Sequence, residues 1–280
     1  MLAKVLLLIM CFGVFGPLVG QTTDTIALLF LTNTHPNHPR MWQKLLKKSK
    51  DKYSVYIHSK NKIDDLYFQK YRIAKTVPTS WSIHVRAWHV LLQEGLKDPN
   101  NKWFAFLSDS CIPLYTLDYI YDIISSDGRS HIAYAGRWWP EYFPREIAEL
   151  LPEYRFGNSE WMVLSREHAE IVANDRSILK VVSQHANDQE SYFGCLFAVQ
   201  GILHELCNHS YTFVDWAHPE GNGAHPHTFH EQNELNDQLL NKAYAEGALF
   251  ARKFSSSYPE HLLVDMIKKR SQSAQREQSK

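Results

Sequence analysis

The chain alternates between short apolar runs and longer stretches with apolar residues at helical spacing. Ile26 to Leu31 is an unbroken apolar run followed by Thr32, the pattern of a buried strand. Tyr53, Val55 and Ile57 alternate with polar neighbours, the period-two sign of a second strand. Val77 marks a short third. Trp103 to Leu107, His131 to Ala135, Trp161 to Leu164, Tyr211 to Asp215 and Leu249 to Lys253 predict further strands. Between them lie predicted helices. One opens at Pro39, a residue suited to a first helical turn, and runs through Lys48. A second carries Ile83, Ala87, Val90 and Leu91 on one face, with Ser80 and Ser82 as candidate caps and an end near Gly95. Leu117, Ile120, Tyr121 and Ile124 form another helical stripe, and Arg166–Ala173, Glu190–Val199 and Pro259–Lys269 complete the set.

Strand–helix alternation implies an α/β fold, with a mostly parallel central sheet flanked by helices. In such sheets ligands bind beyond the carboxyl ends of the strands, so the loops after strands are the places to look. Residues 21–270 read as one domain, and residues 271–280 as a polar, disordered tail. The first 20 residues read differently. Lys4 precedes a nearly unbroken apolar stretch, residues 5–19, which is short for a membrane span. A cleaved signal peptide is favoured over a short retained anchor that would hold the protein at a membrane. Either one delivers the chain across a membrane, to the secretory pathway of a eukaryote or to export in a bacterium.

Charge narrows the partners. Lys and Arg total 30, as do Asp and Glu, so no basic excess points to nucleic acid. Aromatic residues make up 13%, which suits sugar-binding clefts and ordinary cores alike. Beyond Cys11 three cysteines remain, Cys111, Cys195 and Cys207, and an odd number leaves at least one thiol over. Asn208-His-Ser210 is an N-glycosylation sequence.

Four ordered segments give a family resemblance. They are Phe30-Leu-Thr with Tyr53-Ser-Val-Tyr-Ile-His58; Trp81 with Trp103-Phe-Ala-Phe-Leu-Ser-Asp-Ser-Cys-Ile-Pro-Leu-Tyr115; Ser159-Glu-Trp-Met-Val-Leu-Ser-Arg166 with Asp188-Gln-Glu-Ser-Tyr-Phe193; and Phe213-Val-Asp-Trp216, Gly223-Ala-His-Pro226 and Leu249-Phe-Ala-Arg-Lys-Phe254. In this order they resemble the core-2/I-branching β-1,6-N-acetylglucosaminyltransferases (glycosyltransferase family 14) and their plant relatives. The resemblance implies a GT-A type fold and a nucleotide-sugar donor, UDP-N-acetylglucosamine in the best-known members. It further implies a glycan acceptor, inversion at the sugar carbon, a Golgi setting in eukaryotes, and no cofactor or metal.

Inverting transfer needs a carboxylate to take the hydroxyl proton and positive charge to receive the departing diphosphate. Glu190 matches the family's base. Its expected place is the first turn of a helix capped by Asp188, where the helix dipole favours the ionised form. No Asp-x-Asp occurs anywhere in the chain, so fixed cations must take a metal's place. Lys253 matches the family's phosphate-binding lysine, with Arg252 beside it. The family's second phosphate-binding Arg has no counterpart after Asp215, where His218, His225 and His227 stand; His225 is the substitute considered. Thr32, His35, His58 and Asp109 follow predicted strands and are expected to face the donor. Glu160, Trp161 and Trp138 are expected to shape the acceptor cleft.

Two other readings compete: a catalytically inactive glycan-binding relative, and a metal-dependent hydrolase built on His218, His225, His227 and His230. The second lacks the His-Glu-x-x-His spacing of a helical zinc site.

Overall fold

The structure, a computed structural model, describes residues 23–136 and 147–278. The apolar stretch 5–19 and Trp138 lie outside the described residues. In chain order the elements are β1 (Thr25–Thr32), α1 (Pro39–Lys48), β2 (Tyr53–Ser59), α2 (Val85–Gly95), β3 (Asn101–Ser108), β4 (Ile112–Pro113), α3 (Leu117–Asp127), β5 (Tyr134–Ala135), β6 (Gly157–Asn158), β7 (Val163–Ser165), α4 (Arg166–Asn174), α5 (Ser177–Val182), α6 (Tyr192–Val199), β8 (Thr212–Val214), α7 (Asp237–Ala245), β9 (Phe250–Arg252) and α8 (Glu260–Gln278).

The central sheet has the order β2-β1-β3-β7. β1 is parallel to β2 and β3, and β7 runs antiparallel to β3. Ile26 to Phe30 are all fully buried, as expected for a strand covered on both faces. Trp42 of α1 packs edge-on against Phe30, and Trp88 of α2 packs on Phe106, so helices cover the sheet through aromatic contacts. A smaller sheet, β4-β9-β8, carries the C-terminal strands beside the loop that leaves β3. The expected mixed, mostly parallel sheet with flanking helices is the architecture found.

Several elements differ from expectation. Val77 is in no strand; its N–H donates to His58 Nε2 at 3.0 Å, so a side chain takes the place of a ladder. His131 makes only isolated bridges, to Val163 and Cys207. Ser80 and Ser82 do not cap α2: Ser80 and Ile83 close a turn on each other, and the cap comes from a distant acid. The tail from residue 271 is not disordered as far as Gln278. α8 continues through it, with Ser271 and Ala274 buried. The reason is long-range: Ser271 Oγ accepts the Thr116 N–H at the start of α3 (2.8 Å), a tertiary bond no polarity count foresees.

Cys111, Cys195 and Cys207 are all free thiols, the first two buried. The Asn208 amide is already engaged, accepting the Tyr134 N–H at 2.8 Å and donating to the Tyr134 carbonyl at 3.0 Å.

Candidate active site

The carboxyl ends of β1 and β3 are joined by short polar links. Asp109, just beyond β3, accepts the Asn33 N–H at 3.2 Å, and its carbonyl accepts the Asn37 N–H at 2.8 Å. Phe254, just beyond β9, donates its N–H to Ser110 (2.9 Å), and Phe106 of β3 donates to Met162 ahead of β7 (2.9 Å). The ends of β3 and β9 and the entry to β7 are thereby drawn to one place.

Glu160 and Trp161 enter β7 there. Glu160 Oε1 receives His84 Nε2 at 2.6 Å and Trp88 Nε1 at 2.9 Å. Burial pushes the Glu160 carboxyl up, but the His84 charge and hydrogen bond, with Arg252 and the Trp88 indole, outweigh it and hold the carboxyl below its usual range. Burial pulls His84 down, yet the Glu160 charge and hydrogen bond, with Asp188, carry it up to about 9. At neutral pH the two form a closely shielded ion pair.

Asp188 completes this corner. Its Oδ1 accepts the N–H groups of His84 (2.9 Å) and Val85 (3.1 Å), capping α2 from 103 residues away rather than capping the helix that follows it. Burial raises its carboxyl despite these donors. Glu190 closes a 3₁₀ turn, Asp188–Glu190, and is not in the first turn of α6, which starts at Tyr192. The turn is held from two sides. Asn187 has left-handed backbone (φ 58) and donates to the Ser82 carbonyl at 2.7 Å. Buried Asn158 donates to the Gln189 carbonyl and accepts the Gly194 N–H, each at 2.9 Å. Gly194 permits this approach: a Cβ there would lie 2.9 Å from the Phe156 carbonyl oxygen.

Arg252 and Lys253 leave β9 into the same space. The Arg252 Cζ lies 3.9 Å from the centre of the Trp161 ring, and its Nε is buried without a hydrogen-bond partner. Burial lowers the Arg252 guanidinium, against the opposing pull of Cys111, Glu160, Asp109 and Glu190. Burial, then the adjoining Arg252, lowers the Lys253 ammonium, against Glu220, Asp109 and Glu160. Two adjacent, half-buried cations thus make a wall that feels the charges of Asp109 and Glu160 together.

The other expected residues divide. Thr32 is buried and its hydroxyl turns back to the Thr34 carbonyl at 3.0 Å. His35 bonds the Pro36 carbonyl (2.9 Å) and stacks near Phe68. His58 is buried, its Nε2 committed to the Val77 N–H, so it positions that loop. His225 is held in a tight bridge with Glu220, and its ring meets exposed Trp81 edge-on at 5.7 Å. His218 pairs with Asp215 (3.1 Å) and His227 with Glu220 (3.3 Å), while His230 sits near Ser257. Among the described residues these histidines make no common ligand cluster.

Sequence reasoning missed His84, Trp88 and the capping role of Asp188. Glu160 and His84 are 76 residues apart, and no local pattern joins them.

The ordered segments bearing this geometry match a known family model, the Core-2/I-Branching enzyme, over residues 26–243. The chain belongs to the core-2/I-branching enzyme family. The family span includes Glu160, Asp188 and Glu190 and stops before Arg252 and Lys253. A rice relative (Oryza sativa subsp. japonica), Glycosyltransferase BC10, is 28% identical over 246 residues, covering 73% of this chain. The match spans 62% of that protein's length. A solved structure of a glycosyltransferase involved in glycosylating the major capsid of PBCV-1 aligns over 87% of this chain and 98% of its own, at 13% identity and a TM-score of 0.40.

Proposed function

We propose that this core-2/I-branching family member is an inverting glycosyltransferase that moves a sugar from a UDP-sugar to a glycan hydroxyl. The observation that carries the reading is the adjacent Arg252–Lys253 pair. Both cations are lowered by burial, they stand side by side, and the Arg252 Nε has no partner. Such a wall suits a diphosphate, whose negative charge grows as the sugar leaves. Glu190 faces the same electrostatic environment and acts as base. The acceptor oxygen attacks the anomeric carbon, its proton passes to Glu190, and the carbon–oxygen bond to the diphosphate breaks with the electron pair leaving on UDP. The bond forms on the face opposite the one that breaks, which inverts the centre.

The protein side chains supply the positive charge in this scheme, in keeping with a sequence that has no Asp-x-Asp. Glu160 is tied up by His84 and Trp88, so it organises the cleft beside Trp161 and leaves proton transfer to Glu190. The donor sugar we infer is N-acetylglucosamine, on the family resemblance. Residues 5–19 are read as the segment that sends the chain across a membrane; no helix among the described residues is long and apolar enough to cross one.

The test is a transfer and donor-hydrolysis assay across several UDP-sugars, with and without chelator. Turnover of UDP-N-acetylglucosamine that survives chelator is the expected result. Glycan binding without turnover of any donor would assign the protein to the inactive class instead.

A further inference from the structure

Away from the catalytic corner, three side chains of metal-ligand type converge on one point. Asp127 ends α3, His131 follows four residues later, and Cys207 lies beside His131 in a parallel bridge. One ligand atom from each lies within 4.8 Å of the others, and among the described residues this is the one such cluster. Backbone bonds set the arrangement. Cys207 N–H donates to Ser130 (2.9 Å), Ile132 N–H to Cys207 (3.1 Å) and His131 N–H to Val163 (2.7 Å). Gly128, in the left-handed conformation (φ 74), turns the chain between Asp127 and His131.

His131 and Cys207 keep ligand capacity that the fold does not use. His131 is buried and stacked on Tyr211 at 4.0 Å; Nε2 reaches Asp127 Oδ1 at 3.2 Å, and Nδ1 is buried without a partner. The imidazole thus keeps a lone pair unused in a place where polar atoms are normally paired. Cys207 is a free thiol, and unlike Cys111 and Cys195 it is partly exposed. Asp127 is bound in a fork by Arg129, at 3.0 and 2.9 Å, and that guanidinium is largely solvent-exposed and free to swing away.

We propose that Asp127, His131 and Cys207 form a binding site for a zinc-like divalent cation, separate from the transfer machinery, with water in the fourth position. A nitrogen, a thiolate and a carboxylate oxygen match the ligand preferences of zinc. Tetrahedral bonds of about 2.0–2.3 Å require the ligand atoms to close to about 3.5 Å of one another. Small rotamer changes of Asp127 and Cys207, neither fully buried, supply that movement. Binding releases the Cys207 proton to solvent and the Asp127 carboxylate from Arg129. The ion would staple the end of α3 to the loop ahead of β8.

The experiment uses Co²⁺ as a spectroscopic stand-in on the purified, chelator-stripped full chain. One equivalent should bind and give a near-ultraviolet thiolate-to-cobalt charge-transfer band. That band should vanish in Cys207→Ser and weaken in Asp127→Asn. Arg129→Ala should tighten binding, since Asp127 no longer has a competing cation. Zn²⁺ should displace cobalt and raise Tm in the wild type and not in Cys207→Ser. Absence of the band, or its survival in Cys207→Ser, would overturn the site. All three variants lie outside the catalytic corner, so sugar transfer reports independently that they fold.

Discussion

The Arg252 guanidinium lies over the Trp161 indole, its Cζ 3.9 Å from the ring centre. The ring covers a face of the guanidinium, whose Nε is buried without a partner; in the proposed function the rest of the cation's edge takes the diphosphate. Trp161→Leu keeps an apolar filler and removes the π face. A desolvated cation–π contact is worth about 2 kcal/mol, so UDP should bind roughly thirtyfold more weakly. Calorimetric titration with UDP measures this, and equal affinity in the variant would show that the ring has no part in holding the cation.

Glu190→Gln keeps the side-chain shape and removes the basic oxygen. Transfer should fall by about 10² to 10⁴, the usual range for a lost general base, with UDP affinity unchanged. Lys253→Ala should do the reverse in kind, weakening UDP by about 1.5–3 kcal/mol as expected of a lost charged hydrogen bond. Full transfer in the first variant, or unaltered UDP affinity in the second, contradicts the assigned roles.

The His84–Glu160 pair gives a pH signature. The folded His84 pKa, about 9, is above its ordinary 6.5. Its stabilising contribution is therefore complete below about 6.5 and lost as pH rises through about 9. Tm should fall across that window in the wild type. In Glu160→Gln the fall should be much smaller, because the histidine no longer has an anion to hold its proton. Parallel Tm–pH curves for the two proteins would rule the pair out as the source.

Asp188→Ala removes the acceptor shared by His84 and Val85 at the start of α2. A lost cap costs about 1–2 kcal/mol, visible as a lower denaturation midpoint. Because the same residue begins the turn bearing Glu190, kcat should fall as well. Asp188→Asn, which retains an acceptor oxygen, should recover most of the stability.

Much of the sheet was legible in the sequence because its signal is local. Ile26–Phe30 must be apolar to be covered on both faces, and Tyr53, Val55 and Ile57 show which side of β2 is buried. Glu190, Lys253 and Arg252 emerged only through a family resemblance, since an acid near a helix start or a basic strand end is ordinary. What stayed hidden is non-local. Asp188 caps a helix 103 residues earlier, and Trp88 and His84 converge on Glu160 across more than 70 residues. Periodicity describes a residue's neighbours along the chain, and these bonds join residues that only folding brings together. The α8 extension was missed for the same cause: a helix rich in Ser and Gln is written as a tail unless its docking partners are known.

That docking has a consequence for synthesis. The Met41 N–H in α1 is accepted by Glu260, and the Thr116 N–H at the start of α3 by Ser271, partners 219 and 155 residues downstream. The chain leaves the ribosome from its amino end, so both early helices emerge with a terminal donor unanswered. Their final bonds wait until α8 has been made. A helix made late completes two made early, so α1 and α3 gain these bonds only once residues 260–271 have been synthesised.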